Sequence, residues 1–555
     1  MNTISPALVT QRGARRLPRL ALLLLCAAYV LPGVLGRDPW RNADLVSFAQ
    51  MLAMAAGPSS WLQPMLGGLP VADVAPLPNW LGAAAIGLLS PWLDAALAAR
   101  LPFAALLAAT LALTWYASFH LARTDNAQPL AFAFGGEAEP VDYARAIADG
   151  ALLAIIATLG LLQLGHETTP ELVQLCAVSL FLYAIAAAPY RDWQPRLAAL
   201  LALLMLAVSG APSMGLAIGA GGALICARSA FADARRFAWW IAGCATVATL
   251  LATLLGAWRV RGVALDIKDV YIIGRQWLWF LWPTWPFVVW TLWRWRTHWL
   301  HRHIAAPLLI VGVALASNLF MGGSDRALML AVPGMAVLAA FALPTFKRST
   351  TAAIDWFSMC FFTLCALVIW VIYIAMHTGL PAQPAANVAK LAPGFIAQWS
   401  WLALAWAAAG STAWIWLVRW RTGRHREALW KSLVLPASGV ALCWLLLMTL
   451  WLPLLDYARS NRPWLERLAV HLSAGQCLWA PGASAVTIAA LSVSARYRVD
   501  ASPDAPRDAA CAQLLRVSRS GRLPAPPPQW ELIAEVRRPT DREEVTALYR
   551  RRALP

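Results

Sequence analysis

The stretch "LALLLLCAAYVLPGVLGRDPWRNAD", Leu20 to Asp44, runs from an uncharged apolar segment straight into two arginines and two aspartates set around one tryptophan. The apolar part lacks a small-x-small cleavage site, and many further apolar segments follow it. It therefore reads as a retained first membrane helix rather than a secretion signal. The charged part is then the place where the chain leaves the bilayer. Ionisable groups at that depth are costly and often mark a site, so Asp38 has two readings. It is either an interfacial charge solvated by headgroups or a carboxylate held at a cavity at membrane level.

The rest of the chain supports the membrane reading. Of 555 residues, 60% are apolar and 13% are charged, against about 25% charged in soluble domains. Thirteen apolar segments are expected as spans, among them the first at about 18–36, then about 98–120, 148–165, 277–295 and 327–344, and the last at about 432–454. The net charge of +17 would suit nucleic acid were it clustered, but it is spread by topology. With the N-terminus and its Arg12, Arg15, Arg16 and Arg19 placed in the cytoplasm, 21 of the 45 basic residues fall in cytoplasmic segments, 9 in the opposite loops and 15 in the tail. That bias follows the positive-inside rule, and a nucleic-acid partner is not expected.

The fold class expected is an all-α polytopic membrane protein with a small exported C-terminal domain of α/β or mostly-β type. The membrane part is 1–454, with a long first outer loop at about 37–97, and the exported part is 455–555. Within the loop, "DLVSFAQMLAMA" reads as an interfacial amphipathic helix and "NWLGAAAIGLLSPW" as a segment dipping in from the outer face. In the tail, "SAVTIAALSVSARY" (Ser484 to Tyr497) and "WELIAEV" (Trp530 to Val536) alternate at period two, as half-buried strands do. Seven of the nine cysteines lie in spans. Cys477 and Cys511 lie in the tail, where a disulfide is permitted, though sequence leaves their pairing open.

Three further outer segments carry candidate chemistry. The turn "GHETTPEL" (Gly165 to Leu172) gathers His166, Glu167 and Glu171 as candidate metal ligands or as a second carboxylate opposite Asp38. It is not the helical His-Glu-x-x-His motif, because Pro170 stands where the second histidine belongs. The loop "WRVRGVALDIKDVYIIGRQW" (Trp258 to Trp277) places Arg259, Arg261, Lys268 and Arg275 on the side that disfavours cations, which asks for an anionic partner such as phosphate. Asp325 and Arg326 stand at the mouth of a later span, as a local ion pair or a phosphate grip. "GLAIGAGG" (Gly215 to Gly222) reads as small-residue helix packing, and no nucleotide-binding loop is evident.

Taken in order, these features resemble the integral-membrane GT-C glycosyltransferases that use polyprenyl-phosphate sugars, especially the aminoarabinose transferase and protein mannosyltransferase branch. "RDPWRNAD" is similar to the acidic motif opening that family's first outer loop, which implies that Asp38 is the catalytic base. The family's second acidic position is Pro39 here. "PLPNWLGA" (Pro76 to Ala83) resembles a Lys-Pro-Pro-Leu element, with Val74 and Ala75 where the lysine would stand. "GHETTPEL" resembles a second acidic turn, which carries over to Glu171. "SDRALMLAVPGMAVLAAFAL" resembles an Arg-x6-Pro helix, matching Arg326 and Pro333, and "LWLPLLDYARSNRPW" (Leu450 to Trp464) is like the junction to the exported domain.

The resemblance implies an enzyme that moves a sugar from a polyprenyl-phosphate carrier to an acceptor hydroxyl on the outer face of the inner membrane, with inversion. Lipid A, another glycolipid or glycan, and an exported protein are all open as acceptors. Asp38 and Glu171 are the expected catalytic pair, Arg275, Arg326 and Lys268 the expected donor-phosphate contacts, and a divalent metal a possible cofactor. The rival classes are a lipid or solute transporter and a non-catalytic polysaccharide-assembly protein.

Overall fold

A computed structural model describes the chain apart from residues 1–4, 58, 72–74, 230, 259–262, 264–265, 424–427, 495–496, 507–510, 519–528, 542 and 553–555. Val74, Arg259 and Arg261 therefore lie outside the described residues. The chain is largely helical. Seven described helices are long and apolar enough to cross a bilayer: Ala95–Ala122, Pro170–Ala187, Ala232–Leu254, Arg302–Phe320, Arg348–Thr378, Trp401–Thr422 and Lys431–Leu450. Shorter apolar helices accompany them, including Arg19–Val30, Trp193–Val208 and Pro212–Ala227. The chain is a multi-pass membrane protein.

Several expected spans are divided, and proline is the usual cause because it lacks an N–H and restrains the residue before it. The segment at 277–295 becomes helices Ile267–Phe280 and Thr284–Arg294, parted at Pro283. The segment at 327–344 becomes Asp325–Met329 and Val332–Ala342, with Pro333 in the first turn of the second. The segment at 148–165 is displaced toward the N-terminus, as helix Pro140–Ala157 followed by the short turn Leu161–Leu164.

The chain divides into two compact units. The first comprises 1–33, 103–367 and 405–446 and is helical. Its centre is helix Val332–Ala342, buried at every residue, with Pro140–Ala157 nearly as enclosed. Trp295, fully buried, donates its indole N–H to the carbonyl of Phe341 at 3.0 Å. Asp355 and Arg421 form an ion pair between two of its long helices.

The second unit comprises 34–102, 368–404 and 447–555, so the long first loop and the C-terminal domain share one compact body. The division expected at 454/455 runs through sequence, whereas this one runs through the packing. Among its described residues the C-terminal domain holds five strands: β3 (Cys477–Trp479), β4 (Arg498–Asp500), β5 (Gln513–Ser518), β6 (Trp530–Arg537) and β7 (Val545–Arg551). Their order is β4-β3-β5-β7-β6, parallel at β4-β3-β5 and antiparallel beyond. Cys477 and Cys511 form a disulfide with a Cα separation of 4.5 Å.

"WELIAEV" is a strand as expected, but "SAVTIAALSVSARY" is not. Residues Ala485–Val493 form a helix capped by Ser484, whose Oγ accepts from the amide of Thr487 at 3.2 Å. The apparent alternation there is a run of small and apolar residues that a helix buries equally well, and the N-cap decides the outcome.

The first loop supplies part of that domain's core. Leu45 and Ala49, from helix Ala43–Ala55, and Leu66 share one buried cluster with Trp464, Leu478, Ile488 and Leu548. Leu66 belongs to a hairpin, β1 (Met65–Leu66) and β2 (Leu69–Pro70), turned by Gly67 and Gly68 at φ +59° and +77°. Both turn residues need positive φ, hence two glycines. The carbonyl of Gly67 accepts from the amide of Ala501 at 2.9 Å, and a Cβ on Gly67 would lie 2.6 Å from Ile488 Cγ2.

Gly57 also has positive φ, at +92°, but a Cβ there would meet nothing within 4 Å. Gly57→Ala should therefore cost only the left-handed backbone term, about 1–2 kcal/mol. Gly67→Ala adds a steric overlap against the domain core and should lower the melting temperature of the purified protein further. Equal shifts for the two variants would mean that the hairpin does not dock as described.

Candidate functional site

In the second unit the stretch Arg37 to Asp44 folds into a turn closed by its own charges. Arg37 and Asp44 pair at 3.1 Å with their side chains 0% and 1% exposed. The same Asp44 oxygen accepts the amide of Trp40 at 3.1 Å, and Arg100 donates to the carbonyl of Arg37. The Trp40 ring lies 4.6 Å from the Arg37 guanidinium and 5.1 Å from that of Arg459. Asp44 is thus committed to holding the turn, and Asp38 is left with its carboxylate at the edge.

Asp38 has two neighbours from the junction with the C-terminal domain. Arg462 donates to its Oδ1 at 2.5 Å, and the Asp38 amide lies 3.4 Å from the carboxylate of Asp456. Asp456 sits on helix Leu452–Arg459, just past the last span, and accepts the Trp40 indole N–H at 2.7 Å. Burial raises its pKa to about 6; the Trp40 hydrogen bond opposes that rise and the nearby Asp38 charge adds to it. The turn therefore brings two carboxylates near each other, Asp38 paired with the exposed Arg462 and Asp456 partly buried against the Trp40 indole.

In the first unit the "GHETTPEL" turn is enclosed: His166, Glu167, Thr168 and Thr169 are all buried. Glu167 accepts from Arg326 at 2.5 Å and from Gln163 at 3.0 Å. Glu171 lies 3.6 Å from the same guanidinium. Arg326 thus faces two carboxylates, which leaves it little positive field for a phosphate. The residues proposed as metal ligands do not fit one. His166 has one ring nitrogen 2.7 Å from the Leu162 carbonyl and the other 2.9 Å from that of Tyr29, so neither presents a lone pair outward. Among the described residues no group of three histidines, cysteines or carboxylates is arranged to hold a metal.

The donor candidates are not gathered together. Lys268 and Arg275 lie on helix Ile267–Phe280, seven residues and about 10 Å of rise apart. Lys268 is exposed. Arg275 lines a cleft of about 250 Å³ with Asp269, Gln276, Gly323 and Asp325. Gln276 ties the cleft by donating to the Gly323 carbonyl at 2.8 Å, and burial pushes the Asp325 carboxyl upward. Arg326, adjacent in sequence, belongs instead to the Glu167 cluster.

Sequence reasoning missed Asp456. Its stretch reads in sequence as the junction to the exported domain, although an aspartate shortly past an apolar helix is the same signal that singles out Asp38.

No protein-family model and no curated protein matches the chain. Two solved structures of ArnT from Cupriavidus metallidurans share its fold. The apo form has a TM-score of 0.61 at 13% identity, and the form bound to undecaprenyl phosphate has 0.56 at 12%. Each alignment covers 96% of this chain and 97% of the other.

The Asp456 geometry sets a pH dependence. A carboxyl whose folded pKa is raised stabilises the native state below its unfolded value, near pH 4, and that stability is lost as pH rises through about 6. Asp456→Asn keeps an oxygen for the Trp40 indole and removes the titration. The melting temperature of the variant relative to wild type should rise steadily between pH 4 and pH 7. A constant difference across that range would contradict the enclosed position of Asp456. From end to end, the chain shares its fold with ArnT.

Proposed function

We propose that this protein is a polyprenyl-phosphate-dependent glycosyltransferase that moves a sugar to an acceptor hydroxyl on the outer face of the inner membrane. The observation that carries the reading is the carboxylate pair Asp38 and Asp456, placed at the exit of the first helix in a chain with the ArnT fold. That one of the matching structures holds undecaprenyl phosphate supports a polyprenyl-phosphate donor.

The chemistry follows from the donor. Lipid phosphate is a good leaving group, so the main barrier is the weak acceptor hydroxyl. Asp38 takes the hydroxyl proton as the oxygen attacks the anomeric carbon. The bond to the phosphate oxygen breaks with its electrons on the phosphate, and the configuration inverts. Arg462 is 68% exposed, and an exposed ion pair is worth about 1 kcal/mol or less. An acceptor therefore displaces it from Asp38 at small cost. Asp456 stays behind the turn, where it accepts the Trp40 indole N–H and holds that ring in place.

Arg275, which lines a cleft together with Asp269 and Asp325, is the donor-phosphate contact of this reading, with Lys268 further along the same helix. Arg326 and Glu171 act in this reading by holding the "GHETTPEL" turn. The acceptor is an exported glycolipid, glycan or protein.

The purified protein in nanodiscs, given radiolabelled undecaprenyl-phosphate sugar and an envelope extract, should transfer label to a new product and release undecaprenyl phosphate. Arg275→Ala should raise the donor KM with little change in kcat. Label that crosses the membrane still attached to its carrier would favour the transporter reading, and neither event would favour the assembly reading.

A further inference from the structure

Two thiols meet within the first unit, between spans that the sugar-transfer reading does not use. Cys365 lies on helix Arg348–Thr378 and Cys443 on helix Lys431–Leu450. Their side chains are hydrogen-bond partners of each other, although the whole helix Trp401–Thr422 intervenes in sequence.

The packing of the two helices accounts for the contact. Gly439 puts no side chain between them: a Cβ there would lie 2.2 Å from Phe362 Cγ and 2.8 Å from Phe362 Cβ. The backbones therefore pass close together at this level. Cys365 follows Phe362, and Cys443 follows Gly439, by about one helical turn on the same face. The two contacts advance in the same sense, so the helices run parallel and the thiols face each other where the first pair does. Close backbone approach is what a disulfide requires, since its Cα atoms stand about 4.4–6.8 Å apart. Both cysteines are free and half-buried. Cys360, on the same helix as Cys365, gives a contrast. It is exposed and points about 140° away around the helix.

We infer that Cys365 and Cys443 form a redox latch, a dithiol that closes into a disulfide between the two spans by exchange with a disulfide dissolved in the bilayer. One protein sulfur attacks the incoming disulfide, a mixed disulfide forms, and one reagent thiol leaves with the proton. The second protein sulfur attacks the mixed disulfide, the Cys365–Cys443 bond forms, and the second reagent thiol leaves with the other proton. The protein pair is thereby oxidised by two electrons and the reagent reduced by two. The second attack is the faster one, because its partner is already in contact. Closed, the latch ties helix Arg348–Thr378 to the helix that leads into Leu452–Arg459, the bearer of Asp456. The latch does not depend on the sugar-transfer reading.

The test uses the full-length protein in nanodiscs, treated with dipyridyl disulfide, an apolar aromatic disulfide, then digested without reductant and sequenced by mass spectrometry. Wild type should give a peptide cross-link between Cys365 and Cys443 that dithiothreitol cleaves, while Cys360 carries a single pyridyl adduct. Cys365→Ser and Cys443→Ser should each lose the cross-link and leave a stable adduct on the remaining thiol of the pair. The oxidised wild type should melt several degrees above the reduced protein, as closing a long loop does, and neither variant should show that rise. Stable adducts on both Cys365 and Cys443 of the wild type would overturn the proposal. So would a pair left unmodified while Cys360 reacts, or a cross-link from either thiol to another cysteine.

Discussion

The buried ion pair between Arg37 and Asp44 is the constraint on which the site depends. Both side chains are closed to solvent, and removing one partner of such a pair strands the other at a cost of about 3–5 kcal/mol. The pair closes the turn at the end of the first helix, sets Trp40 between two guanidinium groups, and thereby aims the indole N–H at Asp456. Everything proposed for Asp38 rests on that turn keeping its shape. The charges that looked interchangeable in sequence divide their labour: Arg37 and Asp44 hold, Arg41 fastens to the C-terminal domain, and Asp38 is presented.

The long first loop is part of a folded body and not a connection over its surface. Its helix and hairpin bury Leu45, Ala49 and Leu66 with the sheet domain, and Arg41 pairs with Asp541 and Glu544. A loop built this way is pre-ordered, as the role proposed for Asp38 requires. It also gives the C-terminal domain a physical role. The domain supplies Asp456 and Arg462 next to Asp38 and forms the floor under the loop.

Much of the membrane architecture was legible in the sequence, because length and apolarity report spans directly. What sequence hid was where helices break and what packs on what. Pro283 and Pro333 each split an apolar run that hydropathy reads as continuous. Ser484 turned an apparent strand into a helix through one cap. At the site, Asp38 was visible because it interrupts an apolar exit. Asp456 lies more than 400 residues away and meets the turn only through the fold. His166, Glu167 and Glu171 looked like a ligand set by proximity in sequence, yet the ring nitrogens of His166 are spent on backbone carbonyls and Glu167 on Arg326 and Gln163.

The central claim is that Asp38 removes the acceptor proton, and single-turnover transfer by Asp38→Asn tests it most directly. The substitution keeps the size of the side chain and abolishes its basicity. General-base catalysis contributes roughly 10²–10⁴-fold, so the transfer rate should fall by about that factor while membrane insertion, melting temperature and donor binding stay near wild type. A well-folded Asp38→Asn protein that transfers sugar at close to the wild-type rate would reduce Asp38 to an interfacial charge and contradict the account.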